Sequence, residues 1–166
     1  MPTSYLLKRF MILATIVLVM ASSVFGQSLE DGKRLLEEGN QLWDNARSDQ
    51  QFREAVAKFE QALSIFESLK EPVGISETAT SIGFIYRRWG NFGKALEYFE
   101  RALAVSRRTG DKEGEAVALN NMALTLNDMG IYNKAEESAL KSITISRQTN
   151  DEKGEAIARH ILGNIY

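Results

Sequence analysis

Apolar and small side chains recur along residues 76–107 with the spacing of helix faces. The first stripe repeats at intervals of three and four residues, at Ala79, Ile82, Gly83 and Tyr86. The dipeptide Gly90-Asn91 marks a turn. A second stripe then follows at Ala95, Phe99, Ala102 and Leu103. The pattern predicts two helices joined by a short turn.

The same arrangement returns every 40 residues, as the glycines Gly74, Gly114 and Gly154 show most directly. Internal periods of this length are typical of repeat architectures, in which each unit covers the apolar face of its neighbour. The period predicts three helix pairs and a lone last helix, with bounds uncertain by about 2–4 residues. Their ranges are about 28–46 with 51–69, 72–89 with 92–108, 111–129 with 132–148, and a start near 151.

One unit also carries a recognisable spacing of residue types, Ile82-Gly83-x-x-Tyr86 followed by Ala95-x-x-x-Phe99 and Ala102. This spacing resembles the tetratricopeptide repeat family. The resemblance implies an all-α, right-handed superhelical solenoid of antiparallel helix pairs over residues 28–166, with three repeats and a partial fourth. The units are about 28–70, 72–109, 111–149 and 151–166. The 40-residue period resembles the variant in kinesin light chains and in bacterial arrays that precede CHAT peptidases.

Two departures from this pattern stand out. The first unit has four more residues between Gly39 and Ala55 than the second has between Gly83 and Ala95, which predicts a longer internal turn. The third unit has Ala139 where the family usually has an aromatic residue. We expect looser packing at that position.

Residues 1–26 have the composition of an export signal. Lys8-Arg9 precedes the apolar run from Phe10 to Met20, and small residues follow up to Gly26. An uncleaved anchor is the alternative, although the apolar run is shorter than the roughly 20 residues that span a bilayer. We therefore expect an exported protein, periplasmic or extracellular, or one that this segment anchors to the membrane.

Charge and composition exclude several classes of function. The chain has 20 basic and 22 acidic residues, and loss of Lys8 and Arg9 with the signal would leave it more acidic. An acidic chain without a basic patch is not expected to bind nucleic acid. With no cysteine, it offers neither a thiolate metal site nor a thiol nucleophile. His160, its one histidine, has no obvious orienting partner, and no catalytic or phosphate-binding motif is present. We expect no enzymatic activity, no cofactor and no metal.

The family resemblance implies that the first helix of each unit lines a concave groove. At about 100° per residue, one stripe of each first helix lies beside the packing face. This stripe predicts ten groove residues: Asn40, Trp43, Thr80, Phe84, Arg87, Asn120, Leu124, Asn127, His160 and Asn164. Asparagine amides suit a peptide backbone because they both donate and accept hydrogen bonds. We expect a protein or peptide ligand, and loss of binding without loss of stability when Asn120 and Asn127 are replaced by Ala.

Two hypotheses for function follow from these features. The first is an exported scaffold that binds a polypeptide in the groove. The alternative is the recruitment part of a larger exported enzyme, such as a CHAT-type peptidase. The apolar residues Ile161, Leu162, Ile165 and Tyr166 close the sequence without a polar cap. We therefore expect the last helix to fray, to self-associate, or to be continued in the natural product.

Overall fold

The computed structural model describes residues 28–166, and every regular element within them is an α-helix. The helices are α1 (Leu29–Asn45), α2 (Asp49–Ser68), α3 (Pro72–Arg88), α4 (Phe92–Thr109), α5 (Lys112–Asp128), α6 (Tyr132–Thr149) and α7 (Glu152–Ile165). Three pairs form, α1 with α2, α3 with α4 and α5 with α6, while α7 packs against both α5 and α6. The predicted all-α solenoid of helix pairs is confirmed.

The predicted export signal, residues 1–26, lies outside the described residues. Among the described helices, none combines the length and the apolar character needed to cross a membrane.

The 40-residue glycine period arises from the way each later unit begins. Asp111 and Asp151 cap α5 and α7, and their carboxylates accept hydrogen bonds from the amides of Gly114 and Gly154 at 2.9 Å. A Cβ atom on Gly114 would lie 2.5 Å from the Ser106 hydroxyl of the preceding helix. Glycine is therefore needed at this position, because the capping carboxylate and a hydroxyl group of the preceding helix both lie close to it.

Within the first two units, a glycine on the first helix accommodates a phenylalanine ring from the second. A Cβ atom on Gly39 or on Gly83 would come within 2.5 Å of the Phe59 or Phe99 ring, respectively. Both rings are almost fully buried, at 1% and 0% exposure. At each of these positions, a residue larger than glycine would prevent the helix backbone from lying this close to the phenylalanine ring.

The third unit replaces this glycine–phenylalanine pair with two alanines, Ala123 and Ala139. Both alanines are fully buried, and Ile161 of α7 belongs to the same apolar cluster. Burial alone does not distinguish tight from loose packing, so the expected looseness at Ala139 stays a prediction.

The prediction of a longer internal turn in the first unit was wrong. Residues 46–48 connect α1 to α2, and residues 89–91 connect α3 to α4, so both turns have the same length. The four extra residues extend the helices instead, chiefly at the start of α2. Ser48 caps α2 by accepting a hydrogen bond from the Gln51 amide. Asn91 caps α4 in the same way. Because Ser48 lies further from Ala55 than Asn91 lies from Ala95, α2 begins earlier relative to its packing residues than α4 does.

The expectation of an uncovered apolar end was wrong for Ile161. Ile161 is 1% exposed because it faces Ala123 and Ala139 of the preceding pair. Leu162 and Ile165 are half-buried against the same cluster. The open side of α7 is instead at Gly163, where an added Cβ atom would meet nothing within 4 Å. Fraying or self-association at this end stays a prediction.

Candidate functional site

The first helices of successive units lie on the inner side of a curved array. Helix α1 contacts α3, α3 contacts α5, and α5 contacts α7. In the described part of the chain, by contrast, no second helix contacts another second helix. Units that approach on one side and separate on the other must bend, and the first helices form the concave face.

Three neighbouring cavities follow this concave face. The first lies between α1 and α3, with a volume of about 460 Å³. The second lies between α3 and α5, also about 460 Å³. The third lies between α5 and α7, about 560 Å³. Shared lining residues make them continuous: Ser81 joins the first to the second, Phe84 the first to the third, and Val117 the second to the third. We call this surface the groove.

Five of the ten predicted residues line the groove. Asn40 and Trp43 line the first cavity and Thr80 the second. Phe84 borders both the first and the third cavity, and Asn120 lines the third. The structure therefore brings together residues from three separate units on one continuous surface, as a site for an elongated ligand would require.

The other five predicted residues line none of the three cavities. They are Arg87, Leu124, Asn127, His160 and Asn164. Arg87 Nε is 2.8 Å from Asp128 Oδ2, so its charge is already compensated within the chain. Leu124 packs partly against the cluster that contains Ile161. Contact of these five residues with a ligand stays a prediction.

Asn120 combines a structural contact with an unused acceptor. The residue is 5% exposed, and its Nδ2 donates a hydrogen bond of 3.3 Å to the Gly154 carbonyl of α7. Its Oδ1 is buried and has no hydrogen-bond partner within the described residues, and the same holds for Nδ2 of the adjacent Asn121. Replacing Asn120 by Ala would remove a contact between two helices. The expectation that its loss leaves stability unchanged therefore has no support in this geometry.

Sequence reasoning missed two apolar residues of the groove. Val117 and Ile157 line the third cavity beside Phe84. Their side chains are 46% and 40% exposed, and they lie one 40-residue period apart. Extending the predicted stripe by one helical turn toward the N-terminus, from Asn120 to Val117 and from His160 to Ile157, would have found them.

A larger cavity of about 740 Å³ opens on the convex side, where α2 and α4 separate, and it meets the second cavity of the groove at Pro72, Val105 and Thr109. Its wall includes Arg101, which is ion-paired with Glu67. The cavity forms because the curvature of the array separates the second helices. Its basic residues are Lys70, Arg101 and Arg108, and the charge of Arg101 is balanced by Glu67. Residues 28–166 contain no group of three His, Cys, Asp or Glu side chains placed to hold a metal ion.

Similarity to known proteins agrees with this architecture. Residues 44–108 and 116–153 each match a family model described as tetratricopeptide repeat. Among solved structures, the chain is similar to the TPR domain of Arabidopsis FLU, with 24% identity, a TM-score of 0.65, and coverage of 72% of this chain and 97% of that one. It is also similar to BtubC (BKLC) from P. vanneervenii, with 21% identity, a TM-score of 0.63, and coverage of 85% of this chain and 65% of that one.

At these identities the two structures support the fold alone. A search of curated proteins finds no match. The two family matches together span most of the described helices, and they include the Gly-x-x-Tyr and Ala-x-x-x-Phe positions described above. The chain belongs to the tetratricopeptide repeat family, whose repeats serve as scaffolds for protein–protein interaction.

Proposed function

We propose that the groove binds a segment of another polypeptide, and that the protein acts as an interaction scaffold without catalytic activity of its own. The third cavity carries this proposal. It combines the exposed apolar side chains of Phe84, Val117 and Ile157 with buried amide atoms of Asn120 and Asn121 that lack partners. Apolar side chains gain free energy when a ligand covers them, and carboxamides pair with peptide groups.

The groove is also suited in shape to an elongated ligand. Its three cavities cross α1, α3, α5 and α7 in turn, so a bound segment would contact several units at once. Each unit then contributes a few contacts, and the array as a whole supplies the affinity. Concave surfaces of stacked repeats are used in this way in solenoid proteins generally.

Val117→Asp tests the groove. We expect this variant to lose roughly tenfold in partner binding, because a carboxylate in the third cavity would be desolvated by an apolar ligand residue. Partners would be captured by a photo-crosslinking amino acid placed at Thr80 in the second cavity. The yield of crosslinked polypeptide should fall in Val117→Asp.

Leu140→Asp is the matched control, since Leu140 is a comparably exposed aliphatic residue at 49% and lines none of the three cavities. Both variants should melt at nearly the same temperature as the parent protein. Equal crosslinking yields in the two variants would show that the partner does not lie in the groove.

We further propose that this scaffold acts outside the cytoplasm. The support is the N-terminal sequence, in which Lys8-Arg9, a short apolar run and small residues follow one another. Intact-mass measurement of the protein from its native cells should give a chain that begins at Val24 or Gln27. A membrane-bound chain that retains Met1 would favour the anchored alternative, and a soluble cytoplasmic chain that retains it would rule out export.

A further inference from the structure

The groove is lined by acidic side chains to the near exclusion of basic ones. The acids that line its three cavities are Glu37, Asp44, Glu77, Asp111, Glu113 and Asp151. Among residues 28–166, Lys153 is the one basic residue that lines them. The imbalance is a property of this surface, since the described helices carry many lysines and arginines elsewhere, on α2, α4 and α6 among others.

The groove acids also lack ion-pair partners in the described part of the chain. Throughout residues 28–166, none of these six carboxylates takes part in an ion pair. Asp111 and Asp151 cap helices, and Glu37 accepts a hydrogen bond from Gln41. The exposed Glu77 and Glu113 have no hydrogen-bond partner among the described residues. A concave surface with one sign of charge concentrates its field and attracts ligands of the opposite sign.

The second and third cavities bring these charges beside the apolar and amide groups. Val117 lines both cavities, together with Glu77 in the second and Glu113 in the third. The third cavity also holds Asn120 and Asn121, which are 5% and 6% exposed and each retain a buried polar atom without a partner. The two adjoining cavities thus place apolar side chains, two carboxamides and two carboxylates close to one another.

We propose that the occupant of the groove is a basic peptide segment of a partner protein, in which lysine or arginine residues flank an apolar anchor residue. This inference rests on the proposed function and specifies the chemistry of the ligand. The anchor packs between Phe84, Val117 and Ile157, and the carboxamides of Asn120 and Asn121 meet the peptide backbone. The flanking cations lie near Glu77 and Glu113.

Two labelled peptides test the sign of the charge directly. In one, a central leucine and phenylalanine are flanked by lysines, and in its twin every lysine is replaced by glutamate. Binding to the purified protein is measured by fluorescence polarisation. We expect the lysine peptide to bind at least roughly tenfold more tightly, and its affinity to fall as added salt screens the charges.

Variants locate the effect in the groove. The double variant Glu77→Gln with Glu113→Gln should weaken binding of the lysine peptide by about 2- to 30-fold, the range expected for two exposed ion pairs. The control is Glu60→Gln with Glu97→Gln, two exposed glutamates on second helices that line none of the three cavities. The control should bind like the parent protein.

The outcomes separate this inference from the proposed function. Equal binding of the two peptides, tighter binding of the glutamate peptide, no detectable binding of either, or equal loss in both double variants would overturn the basic-peptide proposal. The crosslinking yield at Thr80 in the parent protein does not depend on the sign of the ligand charge, and the desolvation cost in Val117→Asp acts on the apolar anchor whatever charges flank it. If crosslinking is lost as expected while the lysine peptide does not bind, the groove stands and only its charge preference is wrong.

Discussion

Phe99→Ala is expected to lower the free energy of unfolding by about 3–5 kcal/mol, the range for removing a fully buried aromatic side chain. Phe99 is 0% exposed and fills the space that Gly83 leaves on the facing helix. Its ring also lies edge-to-face with Phe84 of the groove, at a centroid distance of 5.6 Å. Loss of Phe99 therefore removes core packing and the support beneath a groove residue. Urea unfolding followed by circular dichroism would measure the effect.

The partner glycine makes this prediction more specific. Gly83→Ala should cost about 1–3 kcal/mol, because its Cβ atom would come within 2.5 Å of the Phe99 ring. The higher helix propensity of alanine offsets up to about 1 kcal/mol of that cost. When Gly83→Ala and Phe99→Ala are combined, the new methyl group at position 83 enters the space that the Phe99 ring has vacated. The combined loss should therefore be smaller than the sum of the single losses, by about 1–3 kcal/mol.

Gly93→Ala serves as the control, because a Cβ atom at Gly93 meets nothing within 4 Å. This variant should be as stable as the parent protein or more stable by up to about 1 kcal/mol. The double variant of Gly83 and Phe99 reproduces the alanine pair that the third unit already has at Ala123 and Ala139. Strictly additive losses would mean that the alanine at position 83 does not compensate for the missing ring of Phe99.

The helix pairs could be predicted because the units share positions at which only a small residue lets the facing helix approach. Gly83 and Phe99 must match in size, and Gly114 must leave room for the Asp111 cap, so these residues recur at fixed spacing. The position of the four extra residues in the first unit could not be derived from spacing alone. The number of residues between Gly39 and Ala55 does not show whether the additional ones lengthen the turn or the helices. The capping signal Ser48 was the feature that could have placed them in α2.

The groove was only partly predictable for a different reason. Helical periodicity gives the direction in which a side chain points from its own helix, and it selected Thr80 and Phe84, which line the cavities. Periodicity does not show how closely the next unit approaches. Asn120 is covered by α7, and Arg87 is paired with Asp128, because of contacts between residues 34 and 41 positions apart. The acidic lining became apparent only once three units were placed side by side.

The junction between the second and third units depends on a buried carboxylate. Glu115 is 6% exposed, and its two oxygens accept hydrogen bonds from Arg107 Nε at 2.8 Å and from Lys112 Nζ at 2.9 Å. Arg107 ends one unit and Glu115 begins the next, so the ion pair crosses the junction. The hydrogen bonds from Arg107 and Lys112 hold the pKa of Glu115 below its ordinary value of 4.5, although burial acts in the opposite direction.

Glu115→Gln should lower the free energy of unfolding at neutral pH by about 1–3 kcal/mol, since it replaces charge-assisted hydrogen bonds by neutral ones in a buried position. The sign of the pH dependence follows from the lowered pKa. A carboxylate that ionises more easily in the folded chain stabilises that chain fully above the unfolded pKa of 4.5. Its contribution is lost as the pH falls through the lower, folded pKa. The stability difference between the parent protein and Glu115→Gln should therefore shrink in acid below about pH 4.5.

Glu113→Gln is the matched control, because Glu113 lies in the same first turn of α5 and is exposed without an ion pair among the described residues. Both variants remove one negative charge near the start of the helix, where it interacts favourably with the helix dipole. Glu113→Gln therefore measures that shared effect, which should be roughly 0.3–1 kcal/mol at most. Urea unfolding of all three proteins at several pH values would measure how much the ion pair at this junction contributes to the free energy of unfolding. A gap between the parent protein and Glu115→Gln that stays constant from neutral pH into acid would show that the loss comes from packing, and that the ion pair with Arg107 and Lys112 does not hold the two units together.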